Sequence, residues 1–174
     1  MAQLNFVYNL PLMNNRTQSV GNGTLKFTPI NVGDSISFLT INLLLQGSSA
    51  DRTVTCSLGL YSLNGSTLSI ANSMSATSSM NNAVIRFMSL TATSAAQNIT
   101  PGTWYFGLIF STGGNANFSL FGNSSFSAEN AFPGGFIGGN LTASTDGLPA
   151  SVATSDVDIT GNDFFFEPMI LLSA

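Results

Sequence analysis

The sequence predicts an all-β protein, an antiparallel two-sheet β-sandwich of jelly-roll type with about eight strands. Three observations carry this. Apolar residues alternate with polar ones at a period of two in segment after segment, as in VTCSLGL and WYFGLIF, the signature of strands with one buried face. Turn-forming pairs such as Asn64-Gly65, Pro101-Gly102 and Gly113-Gly114 separate these segments at short intervals. No stretch sustains an apolar period of 3.6, so no helix competes for the core.

In chain order, residues 2–10 alternate through Leu4, Phe6, Tyr8 and Leu10 until Pro11, which cannot donate to a ladder. Residues 14–22 are polar, with a short edge strand expected at 18–20. Leu25 and Phe27 mark a strand within 24–30. Residues 34–45 read as one longer strand, with Ile36 and Phe38 on one face and Leu39, Ile41 and Leu43 on the other. Apolar side chains on both faces predict that one face meets the core and the other a neighbouring subunit. The same applies to the closing segment DFFFEPMILL, with Phe164 and Phe166.

The hairpin at 53–72 is the clearest element. Val54, Cys56, Leu58 and Leu60 form one row, and Leu68 and Ile70 resume it after the turn. A three-residue loop, Leu63-Asn64-Gly65, sets Leu60 opposite Leu68 and Leu58 opposite Ile70, so that all share a face. Residues 73–82, rich in Ser, Met and Asn, read as loop. Strands follow at 83–91, 103–112 and 117–122; in the second, Trp104, Phe106, Leu108 and Phe110 form one row and Tyr105, Gly107 and Ile109 the other. Residues 126–139, with four glycines and Pro133, exclude regular structure, and 141–155 read mostly as loop. The organisation expected is an N-terminal segment, residues 1–23, acting as an assembly arm, and a sandwich domain over residues 24–174.

Composition narrows function. Of 174 residues only 7% are charged, against roughly 25% in an average domain. Four bases and a net charge of −4 argue against nucleic acid, which needs several phosphate-neutralising side chains. They argue equally against anionic membrane. The positive mean hydropathy reflects Ser, Thr, Asn and Gly standing where Lys and Glu are usual, and no apolar run is long enough to cross a bilayer. The start of the chain lacks a basic segment followed by an apolar run, so the expectation is synthesis in the cytoplasm without a signal peptide. Asn-x-Ser/Thr triplets are then treated as unmodified.

The chain has no histidine, which removes Ser-His-Asp and Cys-His arrangements and most zinc sites. Cys56 falls in an apolar row and reads as a small buried hydrophobe. Asp156, Asp158 and Asp163 in DVDITGND are the one acidic cluster. Asp-x-Asp places two carboxylates on one face of a strand, and a turn at Gly161 can bring the third near. Such oxygens suit calcium, or a carboxylate pair for glycoside cleavage; the plain alternative is turn-capping Asp in a solvated loop. We therefore assign no catalytic residue, no metal and no cofactor, and keep the three aspartates as metal candidates only. Trp104 lies in the strongest apolar row and reads as core. Tyr105, Tyr61 and the loop residues Phe132 and Phe136 are candidates for an exposed, ligand-binding surface, with burial between subunits as the competing reading.

The segments LGLYSLNGSTLSIANS, ITPGTWYFGLIFS and FSLFGNSS, then GLPAS before a terminal apolar strand, resemble small all-β virion-surface proteins of tailed bacteriophages. The resemblance implies a jelly-roll-like head on a tail fibre or capsid, often homotrimeric, on the virion surface beside other virion proteins. It implies a receptor-binding role toward a host-surface glycan or protein, or alternatively a decoration protein that stabilises the particle. A polysaccharide-cleaving enzyme is disfavoured by the missing histidine. The matching positions are hairpin and core positions, so they transfer no ligand residues.

Overall fold

The central strands carry two apolar faces, not the single one that the expected hairpin register assumes, and this decides the architecture. The computed structural model describes residues 4–5, 16–20, 23–46, 52–80, 85–92, 97–112, 118–123, 139–141, 147–158, 167–168 and 170–173. Its strands are β1 (Leu4–Asn5), β2 (Arg16–Val20), β3 (Leu25–Val32), β4 (Ile36–Phe38), β5 (Thr40–Gln46), β6 (Arg52–Asn64), β7 (Thr67–Met80) and β8 (Ile85–Thr91). They continue with β9 (Gln97–Ile99), β10 (Gly102–Thr112), β11 (Phe118–Asn123), β12 (Gly139–Leu141), β13 (Ser151–Ala153), β14 (Glu167–Pro168) and β15 (Ile170–Ser173). Among the described residues there is no α-helix, and a single 3-10 turn spans Thr154–Asp156. The protein is thus almost entirely β, with more and shorter strand segments than the eight or so expected.

A six-stranded antiparallel sheet runs β12-β3-β10-β6-β7-β13. A seven-stranded sheet runs β1-β15-β5-β11-β14, with β2 also on β11 and β8 also on β5, and β4 and β9 form a small separate pair. Both described pieces of the N-terminal segment therefore pair within the chain: β1 with β15 and β2 with β11.

The main core draws on every sheet. Ile30, Val32, Val54, Cys56, Leu58, Leu60, Phe106, Leu108 and Phe110 come from the six-stranded sheet; Ile41, Leu43, Leu45, Met88 and Leu90 come from the seven-stranded one. Phe38 and Ile99 join from the small pair, and Trp104 packs against the cluster as the sequence predicts. Each fully buried Leu, Ile or Phe here is worth about 1.5–3 kcal/mol relative to exposure.

Three expectations are corrected. Residues 34–45 are not one strand: a bend at Leu39 separates β4 from β5. The bend resets the phase, so Phe38 and Ile41 both enter the core, Ile36 packs against it, and Leu39 is left 38% exposed. Ile36 and Phe38 are used inside the chain instead of against a neighbour; Phe164 and Phe166 lie outside the described residues.

The hairpin turns at Gly65 and Ser66, with Asn64 opposite Thr67 and Leu63 opposite Leu68. Gly65 takes φ of 60°, a left-handed value that costs glycine nothing. The expected register assumed one apolar face. Instead Leu63, Tyr61, Leu68 and Ile70 serve a second cluster on the other side of the sheet. A register shift at Leu60/Tyr61 makes Ala71 the extra residue of a bulge, after which Leu60 faces Asn72 and Leu58 faces Met74. A bulge exchanges which residues point to which side, so each row reaches its own core.

Residues 73–80, within the segment expected as loop, are strand: β7 runs on to Met80 beside β6. Met74 is buried and Ala76 packs against the main core, while Ser73, Ser75, Thr77 and Ser79 point outward. Asn72 and Ala76 are of types depleted in strands, but pairing along β6 overrides this.

Candidate functional site

The second cluster sits on the outer face of the six-stranded sheet. Leu25, Phe27, Tyr61, Leu68, Tyr105 and Ile109 are covered by a strap, residues 147–158, which contributes Val152 and Val157 with Leu148 against them. The strap is fastened along its length. Ser151–Ala153 pairs with Thr67–Ser69, Ile70 N–H donates to Ala150 O at 3.0 Å, and Thr154 N–H donates to Ser66 O at 2.8 Å. At its end, Asn140 and Asp158 exchange backbone hydrogen bonds of 3.0 and 2.7 Å. Gly139 makes that approach possible: a Cβ there would lie 2.6 Å from Asp158 O.

This placement settles the position of the sequence candidates. Tyr105 and Tyr61 are both 0% exposed, so neither ring offers an open stacking surface; burial raises both phenols, Tyr61 to about 12. Asp156 closes the 3-10 turn and Asp158 forms the bridge beyond it. The two carboxylates are therefore not successive positions of one strand face. They flank the buried Val157, both are exposed, and Ser155 Oγ donates to Asp156 Oδ1 at 3.4 Å. Among the described residues no three His, Cys, Asp or Glu side chains group as a metal site. Phe132, Phe136 and Asp163 lie outside the described residues. Cys56 is buried, and burial pushes its thiol well above the usual range, which leaves it inert as a nucleophile.

The strap covers only half of the outer face. On the other half, every outward side chain of the paired strands carries a hydroxyl. β6 presents Thr53, Thr55 and Ser57, and β7 presents Ser73, Ser75, Thr77 and Ser79. Register sets Thr53 opposite Ser79, Thr55 opposite Thr77 and Ser57 opposite Ser75. Ser111 of β10 lies beside Thr55. Thr55 Oγ1 and Thr77 Oγ1 stand 3.0 Å apart, a cross-strand hydrogen bond. Sheet geometry spaces such groups about 4.8 Å across strands and about 6.8 Å along them. Among the described residues no charged side chain stands on this face, and each hydroxyl both donates and accepts. Sequence reading missed this array because 73–82 read as loop; the signal was the alternation of Ser and Thr at odd positions with Met74 and Ala76 between them.

Neither a protein-family model nor a curated protein matches the sequence.

Proposed function

We propose that the protein is a non-enzymatic binding module, a jelly-roll-like β-sandwich on the surface of a tailed-phage virion, that recognises a neutral glycan of the host surface. The sandwich reading is supported by the chain's path. β3 lies in the six-stranded sheet, β5 in the other, β6 and β7 in the first, β8 in the second and β10 in the first again, with one core fed by both. The virion setting rests on the segment resemblance described above. The glycan reading rests on one observation, the uncharged hydroxyl face of β6 and β7. Alternating donors and acceptors without charge suit sugar hydroxyls and do not suit phosphate or carboxylate ligands.

A glycan array with the purified chain tests this. Neutral polysaccharides are expected to bind, and Thr55→Val with Ser57→Ala to weaken them at least tenfold at unchanged thermal stability. Retained binding in that variant would remove the face from the reading. No glycan bound, with saturating attachment to purified particles, would favour the decoration role instead.

A further inference from the structure

We propose that β7, over residues 72–78, pairs antiparallel with the same segment of a second copy of this chain, joining two six-stranded sheets edge to edge. The proposal stands apart from the glycan reading. Among the described residues, the side of β7 away from β6 is paired only as far as Ile70: β13 pairs with residues 67–69, and Ala150 accepts from Ile70 N–H. Beyond that point no described strand pairs with it, and Ser73, Ser75 and Thr77 are exposed.

An open edge is a template for pairing, and chains commonly blunt it with charge, proline or a bulge. The edge here has none of these. Thr67–Met80 contains no charged residue and no proline, and the register shift falls at Ala71, before the segment begins. In a chain of net charge −4, two copies meet there without any like-charge contact.

The segment also fits its own image. A two-fold axis makes the pairing antiparallel. Centred on Ser75, it sets Met74 opposite Ala76, Ser73 opposite Thr77 and Asn72 opposite Ser78. The large side chain meets a small one on the inner side. On the outer side hydroxyl meets hydroxyl, as Thr55 meets Thr77 within the chain. Nothing comparable fixes the register of an unrelated strand, so a second copy is the occupant that these residues select.

Sedimentation of the full chain across a concentration series tests the proposal, with a reversible dimer expected. Ser75→Lys sets two ammonium groups face to face across the axis and is expected to weaken association at least tenfold. Thr53→Lys adds the same charge to the same face on an inner strand and should leave the dimer intact. Ser75→Cys should cross-link to a dimer under mild oxidation, whereas the native chain, whose Cys56 is buried, should not. If Ser75→Lys does not fold, the cross-link decides. A monomeric native chain, an assembly that Ser75→Lys leaves intact, a trimer, or an absent cross-link at Ser75 would each overturn the proposal.

Discussion

The Tyr61 hydroxyl donates a hydrogen bond to the carbonyl oxygen of Pro149 at 2.9 Å, tying the C-terminal part of β6 to the strap that crosses it. Proline has no N–H, so the carbonyl is its one backbone group for pairing. Tyr61→Phe keeps the ring and removes the donor. We expect a loss of about 1–2 kcal/mol, read as a fall in melting temperature of about 2–8 °C for a chain of this size. Hydrogen exchange locates the effect. The amides of Ile70 and Thr154, which donate to Ala150 O and to Ser66 O, should lose protection before those of β10.

The same ring lies over a pair of glycines. Gly59 and Gly107 are register partners, and a Cβ built on either would stand 2.5 or 2.6 Å from Tyr61 Cε2. The ring has little room to withdraw, with its hydroxyl held by Pro149 and Phe27 packed against it edge-on at 5.1 Å and 82°. Gly107→Ala is expected to cost about 1–3 kcal/mol by overpacking. In a Tyr61→Ala background the clash is gone, so the added methyl should cost much less. Denaturant midpoints around this double-mutant cycle measure the coupling, and additive losses would mean that the glycines serve something other than the ring.

Alkaline pH should release the strap. Burial raises the phenols of Tyr61 and Tyr105 above the unfolded value of 10.0, that of Tyr61 to about 12. A folded pKa above the unfolded one means that the unfolded chain gives up its proton first. The stability linked to these phenols is therefore complete below pH 10 and falls as pH rises toward 12. Urea midpoints at a series of pH values above 9 should decline for the native chain, and less steeply for Tyr61→Phe, which retains only the Tyr105 part.

How much of this was legible depends on which face a residue serves. The main core was readable because Phe106, Leu108 and Phe110, or Ile41, Leu43 and Leu45, repeat at a period of two with bulky side chains. The bulge at Ala71 and the bend at Leu39 were not, because each shifts the phase by one residue and leaves the composition unchanged. The assumption of a single apolar face then misplaced Tyr61 and Tyr105 as exposed. Their cover, Val152 and Val157, lies far along the chain in a segment with few apolar residues. The hydroxyl face was hidden for the opposite reason: its residue types are those of loops, and only the long pairing with β6 makes them a strand. The aspartates were visible as residues, but the 3-10 turn that parts Asp156 from Asp158 has no sequence period to betray it.

Thr28 offers a test of the core itself. It sits on β3 opposite Phe106, one alternation from Ile30, and is 4% exposed. Its Oγ1 is buried without a hydrogen-bond partner. A hydroxyl that gives up water and gains no bond typically costs about 1–3 kcal/mol. Valine has nearly the same shape, so Thr28→Val removes the cost without opening a cavity, and it keeps the β-branch that suits a strand. The expected outcome is a gain of about 1 kcal/mol, or about 2–4 °C in melting temperature. Thr55→Val on the exposed face should gain nothing, because there the hydroxyl has both solvent and Thr77. If Thr28→Val lowers stability instead, the hydroxyl has a partner, and a buried water bridging it to the backbone is the first to look for.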